Sequence, residues 1–198
     1  MIPKIKFCGL KEQIHIDFCA RNAVDFIGFV FCESSTRNIT PEHFANLDLS
    51  NVKNVVIVFK EADFSTISQI LQCNRVDFIQ IHGEIPPQFI GDERIIKAFS
   101  GETFTQNDFT PYQFCKYFLF DGIDAGSGHV RDFSFAKNLE KITKKPFFLA
   151  GGINIANINE ALAFGKMMDI SSGIEEIRGV KSLKLMENIV KSVSETSL

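Results

Sequence analysis

Two side chains suited to proton transfer close apolar segments of this 198-residue chain. Cys8 ends the run Ile2 to Cys8 and is followed by Gly9; Asp121 ends Tyr117-Phe118-Leu119-Phe120 and is followed by a glycine-rich turn. A thiol acts as base or nucleophile only as thiolate, so its pKa must fall from about 8.5 beside a cation or dipole. A carboxyl that donates a proton needs the reverse, a pKa raised by apolar surroundings or a neighbouring negative charge. The run before Asp121 suits that need. Asp124 is a competing acid, but Asp121 is the one that closes the run. Plainer roles exist for both residue types. A strand-end Asp also caps turns, and a free cysteine also serves as a small buried hydrophobe, the reading kept for Cys19, Cys32, Cys73 and Cys115.

Glycine turns supply the second chemistry. Gly151-Gly152 and Ser172-Gly173 each follow an apolar run, and glycine lets the backbone approach a ligand and expose its N–H groups. One such pair is ordinary turn chemistry; two in succession favour a phosphate seat. Gly126-Ser127-Gly128 lacks the third glycine of a dinucleotide fingerprint and follows the sixth strand, so a nucleotide-binding turn is the weaker reading there. Arg37 lies in a polar loop, where its planar guanidinium suits a carboxylate or phosphate. His82 ends another apolar run, and alone it carries no catalytic claim.

The elements that must position these groups alternate along the chain. Strand patterns cover Ile2 to Cys8, Asp25 to Phe31, Asn54 to Phe59, Val76 to His82, Arg94 to Phe99, Tyr117 to Asp121, Lys145 to Ala150 and Met167 to Ile170. Their continuous apolar character marks strands covered on both faces. Helical spacing lies between them: Leu10 to Ala23 with Ile14 and Phe18, a helix opened by Pro41, and Phe64, Ile67, Ile70 and Leu71. A short helix starts at Pro86-Pro87, and a poorly marked one runs to Cys115. Phe133, Ala136, Leu139 and Ile142 follow. Then comes a helix with Asn154 as N-cap and Gly165 as stop, and a last one with Leu183, Met186, Val190 and Val193. Eight buried-type strands alternating with helices predict one compact parallel (β/α)₈ TIM barrel spanning 1–198 as a single catalytic domain. In such barrels the strands' C-terminal ends carry the site, which is where Cys8, His82, Asp121 and the glycine turns fall. If Phe78 points inward, alternation sends Gln80 and His82 inward too.

Composition narrows the function classes. A net charge of −3 with mixed signs offers no basic stripe for nucleic acid. No run approaches the roughly 20 apolar residues of a membrane span, and the N-terminus shows no signal-peptide pattern. Five widely spaced cysteines without a Cys-x-x-Cys pair fit a reducing cytoplasm, with neither a disulfide framework nor a zinc site.

Taken in order, the motifs resemble the phosphoribosylanthranilate isomerase family of tryptophan biosynthesis. Lys6-Phe7-Cys8-Gly9 is similar to its K-x-C-G opening. Ile27 to Phe31 with Ser34-Ser35-Thr36-Arg37 resembles its G-F-V-F and S-x-R segments. Gln80-Ile81-His82-Gly83 is similar to Q-L-H-G. Leu149 to Ile153 and Asp169 to Glu175 resemble its A-G-G-L and D-x-S-S-G-V-E endings.

The resemblance implies an Amadori rearrangement of a small phosphosugar, an aminoaldose phosphate becoming an aminoketose phosphate, with no metal and no organic cofactor. By carry-over, Asp121 is the general acid and Cys8 the general base. Arg37 steers the anthranilate part, His82 lines the pocket, and Gly151, Gly152, Ser172 and Gly173 hold the phosphate. The family's loop after the acid reads G-G-[ST]-G-K, whereas this chain has Ala125-Gly126-Ser127-Gly128-His129. Gly128 remains a candidate contact there, but most phosphate binding is expected from the later turns. A monomer is expected, with at most weak contacts to neighbouring pathway enzymes. The rivals are another phosphosugar barrel, such as a metal-dependent pentose-phosphate epimerase, and a catalytically silent phosphate-binding scaffold.

Overall fold

The computed structural model describes residues 3–22, 24–61, 63–101, 103–121 and 133–196. Asp124 and the segment Ala125 to His129, including the candidate Gly128, lie outside these residues. Eight parallel strands close into a barrel in chain order: β1 Lys4–Cys8, β2 Phe26–Val30, β3 Val55–Phe59, β4 Phe78–Ile81, β5 Ile95–Ser100, β6 Tyr117–Asp121, β7 Phe147–Leu149 and β8 Met167–Ile170. β8 pairs back onto β1, with Lys6 opposite Asp169. The eight-strand barrel expected from the sequence is the observed one.

Period-two alternation sorts each strand between two apolar layers. Ile5, Phe7, Ile27, Phe29, Ile57, Phe118, Phe120 and Leu149 face outward into the layer shared with the helices. The inner set comprises Cys8, Phe26, Val56, Val58, Ile96, Ala98, Leu119, Phe148, Ala150 and Met167, with Phe78 and Tyr117 against them. At the N-terminal end Phe26, Phe78, Tyr117 and Phe148 form an aromatic plug, with ring centroids 5.1 to 5.8 Å apart. Mostly tilted and edge-to-face contacts of this kind stabilise beyond simple burial. Above the plug the interior turns polar, with Lys6, Gln80 and Asp169 all buried.

The outer helices are α1 Gln13–Arg21, α2 Pro41–Ala45, α3 Phe64–Leu71, α4 Gln106–Phe109, α5 Leu139–Thr143, α6 Ile158–Phe164 and α7 Leu183–Glu195. Pro41 occupies the first turn of α2, and Thr40 caps it by accepting from the His43 N–H. Three expectations change. In α1 the inward face is His15, Ile16 and Cys19, while Ile14 is 54% exposed. The helix expected at Pro86-Pro87 is one 3-10 turn, Pro87–Phe89, because two consecutive prolines remove donors and Ile90 is already extended. Asn157 holds the N-cap position of α6 without a side-chain cap bond; Asn154 lies one turn earlier, accepting from the Ala156 N–H and donating to the Gly152 carbonyl. Gly165 ends α6 in extended conformation, and is glycine because a Cβ there would meet Leu149 Cδ1 at 2.8 Å. A small hairpin absent from the sequence reading, β9 Glu175–Ile177 with β10 Val180–Lys181, folds back over the mouth.

Candidate active site

Cys8 and Asp121 both sit at C-terminal strand ends on inward-facing positions. Cys8 belongs to the inner layer, and alternation from Tyr117 and Leu119 carries Asp121 onto the same inner face. Beneath Cys8, Lys6 Nζ donates to Asp169 Oδ1 at 2.8 Å, and both side chains are buried. Glycine at 28 makes room for this arrangement: a Cβ there would lie 3.0 Å from Cys8 Sγ and 3.3 Å from Lys6 Cε.

Burial pushes the Cys8 thiol above its ordinary value; Lys6 and Lys181 oppose that rise, and Asp169 adds to it. For Lys6 burial acts downward, but Asp169 and Cys8 outweigh it and hold the ammonium above its ordinary value. Cys8 is thus held toward the thiol form beside a buried ammonium.

Arg37 reaches the mouth by crossing Gly9, which has φ +78°; a Cβ there would meet Arg37 Cδ at 2.8 Å. Its Nε donates to Glu175 Oε1 at 2.6 Å and its Nη2 to Glu175 Oε2 at 2.8 Å, a two-pronged pair. These bonds raise the guanidinium further, and Cys8 and Asp121 both contribute to its field, so Arg37 lies near both. Lys181 Nζ also donates to Glu175 Oε1, at 2.9 Å, and to the Ser171 carbonyl at 2.9 Å. Ser171 Oγ in turn donates to the Cys8 carbonyl at 3.1 Å. Burial works against the Glu175 carboxylate, yet bonds from Arg37 and Lys181 hold it down at about 2. Glu175, Lys181 and Lys6 had no role in the sequence reading, although Lys6 and Glu175 lay inside quoted motifs.

His82 follows β4. Gln80 Nε2 lies 2.9 Å from His82 Nε2, and burial lowers the imidazole to about 4, so it is neutral. It borders a cleft of about 720 Å³ together with Glu61, Asp63, Gly83, Glu84 and Lys97. Lys97 pins the turn beneath it by donating to the His82 and Gly83 carbonyls at 3.0 and 2.9 Å.

The two glycine turns meet. Gly151 and Gly152 have φ of +91° and +68°, conformations that favour glycine, and a Cβ on Gly152 would point into open space. Ser172 and Gly173 begin a 3-10 turn, where first-turn amides have no intrahelical acceptor. A Cβ on Gly173 would overlap the Ile153 carbonyl oxygen, so the backbone after β7 rests directly on the backbone after β8. Among the described residues no group of three or more His, Cys, Asp or Glu side chains converges to hold a metal ion, and no helix is long and apolar enough to cross a membrane.

Comparison with known proteins agrees with this geometry. The family model described as N-(5'phosphoribosyl)anthranilate (PRA) isomerase matches residues 5–192. The chain is 31% identical to the N-(5'-phosphoribosyl)anthranilate isomerase of Rhodospirillum rubrum, covering 96% of this chain and 97% of the relative. It is 30% identical to that of Maridesulfovibrio salexigens over 89% and 91%. The crystal structure of phosphoribosyl anthranilate isomerase from Thermus thermophilus superposes with a TM-score of 0.84 at 28% identity, covering 98% of this chain and 99% of that one. A closed eight-stranded barrel, its strand-end motifs and a match along nearly its whole length place this chain in the N-(5'-phosphoribosyl)anthranilate isomerase family.

Proposed function

We propose that this chain catalyses the Amadori rearrangement of N-(5-phosphoribosyl)anthranilate to 1-(2-carboxyphenylamino)-1-deoxyribulose 5-phosphate in tryptophan biosynthesis. The observation that carries the reading is the placement of Cys8, Arg37 and Asp121 around one mouth in a chain of this family.

Asp121 gives its proton to the ribose ring oxygen as the C1–O bond breaks, and the anthranilate nitrogen's lone pair forms the C1=N Schiff base. The Cys8 thiolate then removes the proton on C2, and that electron pair forms the C1=C2 bond of an enolamine while nitrogen becomes neutral. Tautomerisation moves the C2 hydroxyl proton to C1 and leaves the C2 ketone. Each general acid or base contributes about 10²–10⁴-fold. Arg37 directs the donors not given to Glu175 toward the substrate carboxylate. Gly151, Gly152, Ser172 and Gly173 cradle the phosphate, and neutral His82 lines the pocket. Gly128, outside the described residues, is a further proposed phosphate contact. The whole chain is taken as one catalytic domain acting as a monomer, in contact with neighbouring pathway enzymes only weakly. All five cysteines are free thiols, in keeping with a reducing cytoplasm.

The test is turnover of phosphoribosylanthranilate by purified protein with chelator present, followed as loss of substrate fluorescence. Cys8→Ser and Asp121→Asn should each nearly abolish the rate while leaving binding intact. A well-folded protein without turnover would sink the assignment, and a wild-type-like rate in either variant would remove that residue's role.

A further inference from the structure

Lys6 is the least exposed charged side chain among the described residues, at 0%. It lies on the inner face of β1, the same face as Cys8; its ammonium hydrogen-bonds Asp169, and Cys8 and Asp169 both act on its charge. A role limited to closing the β1–β8 seam explains this poorly. A buried ion pair is on average no more stabilising than a well-packed apolar pair of similar volume, because both charges must leave water. The neighbouring strand is shaped around the same contact, since a Cβ on Gly28 would touch both the thiol sulfur and the lysine stem.

The charges facing Cys8 come from every element around it. Lys6 stands on β1, Asp169 on β8, Lys181 on β10 and Arg37 in the loop after β2. Glu175 on β9 stands behind Arg37 and Lys181, Asp121 on β6 lies across from Arg37, and His82 after β4 lies beside Lys6 and Asp169. Asp169 is the hydrogen-bonded partner of Lys6, and Glu175 is shared by Arg37 and Lys181.

We infer that Lys6 is the positioning residue of the base: its ammonium, aimed by Asp169, is the counter-charge that lets a Cys8 thiolate form inside the barrel. The inference rests on Cys8 being the base, but its central test does not use activity. Removing the Lys6 charge leaves Asp169 and burial, both of which disfavour the thiolate. Removing the Asp169 charge leaves a buried ammonium with the thiolate as its partner. The two substitutions therefore move the thiol in opposite directions, whereas loss of a purely structural pair would not.

The experiment titrates the ultraviolet absorbance of the thiolate in the wild-type protein, Lys6→Met and Asp169→Asn, each against the same protein carrying Cys8→Ser. Lys6→Met should move the Cys8 titration up by about one pH unit or more, with roughly tenfold less thiolate at a given pH below it. The acid limb of kcat/KM should move with it. Asp169→Asn should move the titration down. An unmoved titration in Lys6→Met, or shifts of the same sign in both variants, overturns the inference. Should Lys6→Met fail to fold, Asp169→Asn decides alone, and an upward or absent shift rejects the role. Full activity in Cys8→Ser would remove the base assignment while the titrations still judged the coupling.

Discussion

Arg37 and Glu175, 138 positions apart, meet as a fork of two hydrogen bonds, 2.6 Å at Nε and 2.8 Å at Nη2. The residue assigned to the substrate's carboxylate is thus already engaged by an internal carboxylate. That engagement removes the entropy cost of ordering a long side chain before a ligand arrives and leaves other guanidinium N–H groups outside the fork. The partner arrives on the β9–β10 hairpin, which also delivers Lys181 to Ser171 and so braces the Cys8 backbone.

Glu175→Gln should therefore raise KM about tenfold with a smaller effect on kcat, because it loosens Arg37 rather than the reacting groups. The stability cost should be about 1–3 kcal/mol, the usual penalty when a buried charge loses its partner. Its pH dependence has a definite sign. The folded carboxyl lies at about 2 against an ordinary 4.5. The Glu175 contribution is therefore complete above about 4.5 and is lost as pH falls from there toward 2. Urea midpoints of wild type and variant should differ at neutral pH and converge in acid. A difference that persisted there would contradict the ion-pair account.

Gly28→Ala tests the space around the thiol. The new methyl would lie 3.0 Å from Cys8 Sγ and 3.3 Å from the Cys8 Cα, so the sulfur must move. A displacement of this kind costs up to about 10²-fold in rate, and overpacking costs about 1–3 kcal/mol in stability. Gly91→Ala is the control. Gly91 has φ +92° with nothing near its missing Cβ, and it precedes β5 at the end of the barrel away from the mouth. That variant should lose about 1 kcal/mol of stability with kcat unchanged. Equal rates in the two variants would show that the thiol tolerates the methyl.

The barrel was legible because its strands are continuous apolar runs. Cys8, His82 and Asp121 were singled out by reading the ends of those runs, and they stand at or just after the C-terminal ends of β1, β4 and β6. Lys6 was not, although alternation already put it on the same face as Cys8. A lysine in an apolar strand makes sense only opposite an acid, and Asp169 becomes its neighbour only when β8 closes onto β1. The β9–β10 hairpin was missed for a different reason. Its strands are short and polar, and its one cue is Arg178-Gly179 between Ile177 and Val180, a two-residue turn of the kind that joins hairpins. Gly179, at φ +87°, fits that turn. Without the hairpin, Glu175 reads as the tail of a motif rather than as Arg37's partner. In α1 the spacing of Ile14 and Phe18 marked the helix but not its buried face, which carries His15, Ile16 and Cys19.

His82 gives a second acid-side prediction with its own window. Its imidazole lies at about 4 in the folded protein against an ordinary 6.5, because burial disfavours the charged ring. The unfolded chain therefore takes up a proton first. Its effect on stability is absent above about 6.5 and grows as pH falls toward 4, so the fold weakens across that interval. Ring-nitrogen NMR should show His82 still neutral at pH 5, and His82→Gln should flatten the stability loss between those limits. A titration near 6.5 would show the ring to be solvated and would remove it from the pocket wall.

The proposed phosphate seat is tested most sharply where backbone meets backbone. At Gly173 an added Cβ would overlap the Ile153 carbonyl oxygen and press on the Asn154 Cα at 2.8 Å, and neither can swing aside as a flexible side chain would. Gly173→Ala must part the turns after β7 and β8. It should raise KM well above tenfold, as a ligand clamp loses its geometry, and weaken competitive inhibition by inorganic phosphate in the same proportion. Gly152→Ala separates conformation from contact. Its φ is +68° but its Cβ direction is open, so the change strains the turn by about 1 kcal/mol without blocking an approach. The expected order of phosphate affinity is wild type, then Gly152→Ala, then Gly173→Ala. Wild-type inhibition by phosphate in Gly173→Ala would place the anion elsewhere on the mouth, because no phosphate could use both turns once that methyl has pushed them apart.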